Sequence, residues 1–181
     1  MNASDITTET KIRDIISDPG LGDLGRLLFP VNEGYYSGDT LRDLHLTWYS
    51  HINPQKTVEI VRYMKEHTLS GEQVFFDIYS ETEKRADPAK QNTGLFFFSF
   101  SINTLLCPNL FIFRGKPGAK TAICNAGGGF AYVGAMHDSL PHALELSKKG
   151  YNTFALIYRP GAQTACQDLA RAIAFLHQNS F

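Results

Sequence analysis

Residues 120–130 read Lys120-Thr-Ala-Ile-Cys-Asn-Ala-Gly-Gly-Gly-Phe130, a short apolar strand pattern running straight into three consecutive glycines. Glycine reaches dihedrals closed to other residues and lets a backbone approach a ligand closely. Successive N–H groups in such a turn can converge on one negatively charged oxygen. Phosphate cradling and oxyanion stabilisation in acyl transfer both use that device. The phosphate fingerprints fail here. There is no G-x-x-x-x-G-K-[ST], and Gly127, Gly129 and Tyr132 miss the last position of G-x-G-x-x-G. A tight packed turn without a ligand is the plain structural alternative.

Working outward, Ser139 is placed to cap a helix through Lys149, with Leu140, Ala143, Leu144 and Leu146 as its apolar positions and Gly150 as the residue that closes it. Residues 152–159 (NTFALIYR) form a continuous buried-type strand. Thr164-Ala-Cys-Gln167 matches a capping box, and Leu169, Ile173 and Leu176 follow at i, i+4, i+7. Strand, glycine loop, helix, strand, helix predicts a parallel α/β layer. Upstream, 73–80 (QVFFDIYS) reads as a strand and 81–92 as a charged connection. Two Phe-rich runs, 94–98 and 109–113, flank a polar middle with Asn103 and Pro108. The uncharged 91–113 stretch approaches the length of a membrane span, but its interior Asn and Pro favour two buried strands. The first seventy residues read as short helices at 11–17 and 24–29, a loop at 31–40, and a helix begun by Asn53-Pro54 and closed by Ser70-Gly71. Val58, Val61, Tyr63 and Met64 give that helix its apolar side. The expected organisation is a helical N-terminal extension over 1–71 and an α/β core over 72–181.

The composition is that of a globular chain: 181 residues, 43% hydrophobic and 19% charged. Seventeen Lys+Arg against eighteen Asp+Glu leave a net charge of −1, so nothing favours nucleic acid as a partner, and a membrane is disfavoured. Cys107, Cys124 and Cys166 form no C-x-x-C, and Met1 to Asp14 lacks an apolar signal core. A reducing, cytoplasmic setting is expected. Cys124 and Cys166 read as buried, inert thiols. The six histidines include no H-E-x-x-H, so neither a metal nor a cofactor is expected. Asp77, Glu81 and Glu83 read as solvated charges.

The run from Thr121 to Leu176 (TAICNAGGGFAYVGAMHDSLPHALELSKKGYNTFALIYRPG…ACQDLARAIAFL) resembles the first half of an α/β-hydrolase catalytic domain. It is closest to the bacterial esterase/lipase group whose third strand ends in an H-G-G-G or P-G-G-G loop followed by an aromatic residue. The resemblance spans about 72–181. It implies a partial three-layer α/β sandwich, mainly parallel, with an N-terminal antiparallel hairpin. It further implies that the N–H groups of Gly128 and Gly129 form part of an oxyanion hole, with Gly127 and Phe130 supporting the loop. Ala126 stands where the group has His or Pro.

In that group the nucleophile sits in G-x-S-x-G after the second helix, followed by the acid and the histidine. That pentapeptide does not occur in this sequence. The nearest run, Gly34-Tyr-Tyr-Ser37-Gly38, has the wrong spacing, and the sequence ends at Phe181 where the resemblance would begin the elbow strand. His137-Asp138-Ser139 has the right residue types, but sequence neighbours rarely face one another as a triad, so loop polarity and a helix cap are the expected roles. Three readings follow. The chain is an incomplete esterase-type hydrolase that retains the oxyanion loop, or an interaction protein or half-enzyme completed by another chain or copy through an open sheet edge. Alternatively it is an active enzyme or a small-ligand binder that uses an unfamiliar constellation around Gly127 to Phe130, an acyl ester or a phosphate being the candidate ligand.

Overall fold

Runs of uncharged aromatic and β-branched residues set the sheet, and polar caps set the helices around it. The computed structural model describes residues 1–30, 38–46, 50–99 and 118–179. Helices α1 (Ile12–Ile16) and α2 (Leu24–Leu28) and an antiparallel two-residue ribbon, β1 (His45–Leu46) with β2 (Ser50–His51), precede the long helix α3 (Pro54–Leu69). Then come β3 (Phe75–Asp77), α4 (Glu81–Ala86), β4 (Gly94–Phe98), β5 (Thr121–Asn125), α5 (Ser139–Lys148), β6 (Asn152–Ile157) and α6 (Ala162–Asn179).

Among the described residues the architecture is mixed α/β, an open four-stranded sheet in the order β3-β4-β6-β5. β3 and β6 each pair antiparallel with β4, and β5 pairs parallel with β6. Every residue of β4 and β6 is buried, whereas β5, at the end of the sheet, is only half-buried along its middle. On one face Phe97 stacks on its cross-strand partner Phe154 at 4.8 Å and meets Phe76, which contacts Phe175 of α6. On the other, Phe98 stacks on Tyr63 of α3 at 5.1 Å. The Tyr63 hydroxyl also accepts the Ser99 N–H at 3.0 Å. α5 lies beside α3, tied to it by ion pairs of Lys56 with Glu145 and of Lys148 with Glu59. The sheet is thus covered by α3 and α5 on one side and α6 on the other. Each large side chain fully buried in these layers contributes roughly 1.5–3 kcal/mol.

Several boundaries follow the sequence. Asn53 accepts the Gln55 N–H at 3.0 Å through its side chain, Pro54 opens α3, and Gly71 closes it at φ +75°. Gly150 ends α5 at φ +91°. Others differ. The expected strand at 73–80 shortens to β3 because Ser80 leaves it to cap α4. α6 opens at Ala162, so Thr164 lies inside its first turn and its hydroxyl donates to the Gly161 carbonyl at 2.9 Å rather than heading a capping box. Ala165, Asp168, Ala172 and Leu176 are the buried residues of α6, while Ile173 is 43% exposed and Cys166 is exposed, against the burial expected of them. The reason is Asp168, which has no solvent exposure. Its carboxylate accepts hydrogen bonds from the Arg159 backbone N–H at 2.8 Å, Arg159 Nη2 at 2.7 Å and the Tyr79 hydroxyl at 2.6 Å. With that carboxylate inward Ile173 turns outward, while Leu169 and Leu176 of the expected stripe still pack against the core. The second Phe-rich run, 109–113, and most of the 31–40 loop lie outside the described residues.

No helix among the described residues is long and apolar enough to cross a membrane. Asp168→Ala should lower the unfolding free energy by about 3–5 kcal/mol in urea titrations, because it leaves a largely buried guanidinium without its carboxylate. A loss below about 1 kcal/mol would show that the pair does not set the register of α6.

Candidate functional site at the glycine loop

β5 delivers the chain into a loop held from four directions. The Ala126 carbonyl accepts the Tyr158 hydroxyl at 2.7 Å. The Gly127 N–H donates to Asp138 Oδ2 at 2.6 Å, and the Gly127 carbonyl accepts the Gly134 N–H at 3.0 Å. Gly128, Gly129 and Phe130 then run at φ +141°, +59° and +60°. The Gly128 carbonyl accepts the Ala131 N–H at 3.0 Å, which closes a left-handed turn. Finally, the Phe130 carbonyl accepts the N–H of Gly161, just ahead of α6, at 2.7 Å. Glycine is required at 128 on two grounds: its φ, and a Cβ that would stand 2.0 Å from the Tyr132 carbonyl oxygen. At 129 only the backbone requires it, since a Cβ there would meet nothing within 4 Å.

The N–H groups of Gly128, Gly129 and Phe130 donate to no acceptor among the described residues. Gly129 faces open space, and Phe130 is 49% exposed. Three neighbouring donors in one pinned turn at the end of a strand can hold a carbonyl or carboxylate oxygen.

The side chains around this turn do not assemble a nucleophile. His137 Nδ1 and Ser139 Oγ are buried, each without a hydrogen-bond partner, so they do not bond one another. Burial pushes the His137 imidazole below its ordinary 6.5, against the opposing pull of Asp138. Asp138 spends one carboxylate oxygen on Gly127, and the other lies 3.3 Å from His142 Nδ1. Ser139 is the first residue of α5 rather than its cap. Cys124 is half-buried, and burial, with Asp138 second, pushes its thiol up and keeps it protonated. Asp77 and Glu81 flank Lys84 at 3.0 and 2.6 Å, and Glu83 pairs with Arg171 at 3.0 Å, so these carboxylates are engaged away from the loop. No group of three or more His, Cys, Asp or Glu suited to a metal ion occurs among the described residues.

Sequence reasoning singled out the glycines but missed the four groups that fix them: Asp138, Gly134, Tyr158 and Gly161. One signal was legible for Asp138. It is an Asp just ahead of the α5 apolar run, a residue type that accepts backbone N–H bonds, and in the structure its carboxylate makes no cap bond and serves the loop instead. Tyr158 and Gly161 gave no local signal, since both act across the fold.

No protein-family model, curated protein sequence or solved structure matches the chain.

Two outcomes follow from this geometry. Gly129→Ala should lower stability by about 1 kcal/mol, the ordinary penalty of a left-handed residue. Gly128→Ala should lower it by about 2–4 kcal/mol, because overpacking against the Tyr132 carbonyl is added. Equal losses in urea unfolding would contradict the turn described. The half-buried His137, whose Nδ1 is shielded from solvent, also sets a pH dependence. Its folded pKa lies below the unfolded value, so its contribution is present above about pH 6.5 and is lost as pH falls through the folded value. Thermal unfolding from pH 7.5 to 5 should show that acid-side loss, and His137→Asn should flatten it.

Proposed function

We propose that the chain carries the oxyanion-loop elements of an esterase-like α/β-hydrolase fold and holds an acyl carbonyl or carboxylate oxygen on Gly128 and Gly129. The observation that carries this reading is the left-handed turn directly after β5, whose amides are unengaged among the described residues. The element order supports it: an antiparallel pair, then a strand, the glycine loop, a helix, a parallel strand and a helix. So does the strand order, in which β5, the strand that feeds the loop, lies parallel beside β6, the strand that follows the loop and its helix. Gly127 supports the turn through Asp138, and Phe130 supports it through Gly161. In acyl transfer, each such donor contributes about 2.7–4 kcal/mol to the charged transition state.

Electrostatics favour an acyl group over phosphate. The Asp138 carboxylate is bound to the residue next to the free amides and repels a dianion more than a carbonyl oxygen or a monoanion. The sequence holds no G-x-S-x-G, and neither His137 nor Cys124 is placed as base or nucleophile, so these residues supply binding without acyl transfer. A second reading, an interaction module completed by another chain or copy, is favoured by β5. Its residues 121–125 (TAICN) carry no charge or proline, the devices that protect an edge from strand addition.

The test pairs turnover with binding. The purified chain should not hydrolyse p-nitrophenyl acetate above background. Acetate should shift the Gly128 and Gly129 amide resonances saturably, more tightly than inorganic phosphate does, and Gly128→Val should abolish the shift. Turnover lost in Gly128→Val would overturn the non-catalytic part. Absence of any shift at 128–129 would overturn the site, and a dimer by light scattering in the same samples would then favour the second reading.

A further inference from the structure

We propose that Phe130 is a ligand-contacting residue, so that the loop takes an acid or acyl group whose carbonyl carries an apolar body, the Phe130 ring covering that body. The inference rests on the oxygen-binding reading above and adds what the rest of the ligand must be.

Phe130 combines three features that folding alone explains poorly. Its φ of +60° lies in the left-handed region, which is unfavourable for any residue with a Cβ. The residue is 49% exposed, so burial recovers only part of that strain. Its carbonyl is fixed to the Gly161 N–H at 2.7 Å, so the ring cannot be withdrawn by rotating the backbone without breaking that bond. Backbone strain held in place by its surroundings is characteristic of binding sites. An exposed aromatic face is also an efficient contact for an apolar group, being rigid and large.

The neighbouring donors then say what kind of ligand meets the ring. The Gly128, Gly129 and Phe130 amides are unengaged among the described residues, and the outer side of Gly129 is open. One molecule touching both must present an oxygen acceptor within a few bonds of an apolar surface. Arylacetic and medium-chain carboxylic acids, or their esters, have that shape. A small polar acid such as acetate reaches the amides and leaves the ring uncovered.

The experiment compares acetate with phenylacetate on the full chain, reading the 128–130 amide resonances. The wild type should bind phenylacetate about tenfold more tightly than acetate, one good aromatic contact's worth. In Phe130→Gly and Phe130→Asn, both compatible with a left-handed backbone, that ratio should fall to near one. Thermal unfolding should show both variants folded. A tenfold ratio that survives in both variants would overturn the proposal while leaving the oxygen site standing. So would a wild-type ratio near one with acetate still bound. Loss of both ligands in both folded variants would assign Phe130 to holding the loop and overturn the contact role. No shift with either ligand in the wild type would overturn the oxygen site itself, and this inference with it.

Discussion

The buried carboxylate of Asp168 is the interaction on which the rest of the molecule depends. It gathers the Arg159 backbone and guanidinium at the end of β6 and the Tyr79 hydroxyl beyond β3, all from inside α6. A carboxylate with no solvent exposure is tolerable only with such a full set of donors. The pair therefore dictates how far α6 rotates and where the chain turns between β6 and α6. That turn contains Gly161, whose N–H latches Phe130. A stabilising contact on one side of the sheet thus reaches the glycine loop through Gly161, two residues after Arg159.

How much of this was legible depends on whether the controlling interaction is local. β4 and β6 were readable because an inner strand buried on both faces is an uncharged run. α3 was readable because Asn53, Pro54 and Gly71 act on their own backbone. The face of α6 was readable only in part, through Leu169 and Leu176. Its apolar stripe points to Ile173, and only the long-range partner Arg159 reveals that Asp168 is the inward residue. The same error carried Cys166 inward when it is exposed. β5 was readable as a short apolar strand, and it is only half-buried because among the described residues it has a partner strand on one side alone.

For the glycine loop, sequence supplied the residues that need freedom and not those that remove it. Three glycines in solution would sample many turns. Here Tyr158, Asp138, Gly134 and Gly161 each bind one backbone group and leave a single arrangement. The amides kept out of that set are the ones able to serve an external oxygen. Preorganisation of this kind matters because donors already in place need no reordering when charge develops.

The handedness of the loop has one more consequence. Gly129 and Phe130 sit at nearly identical left-handed angles, and a side chain at 129 would project into empty space. Such angles are the mirror image of an ordinary helical turn, so the relaxed occupant of both positions is a residue of opposite chirality. At 130 the natural L-phenylalanine is held against its own preference by a hydrogen bond to its carbonyl. A chemically assembled chain with D-alanine at 129 would keep the same backbone with less freedom to lose on folding, a rigidity that no genetically encoded side chain supplies at that position.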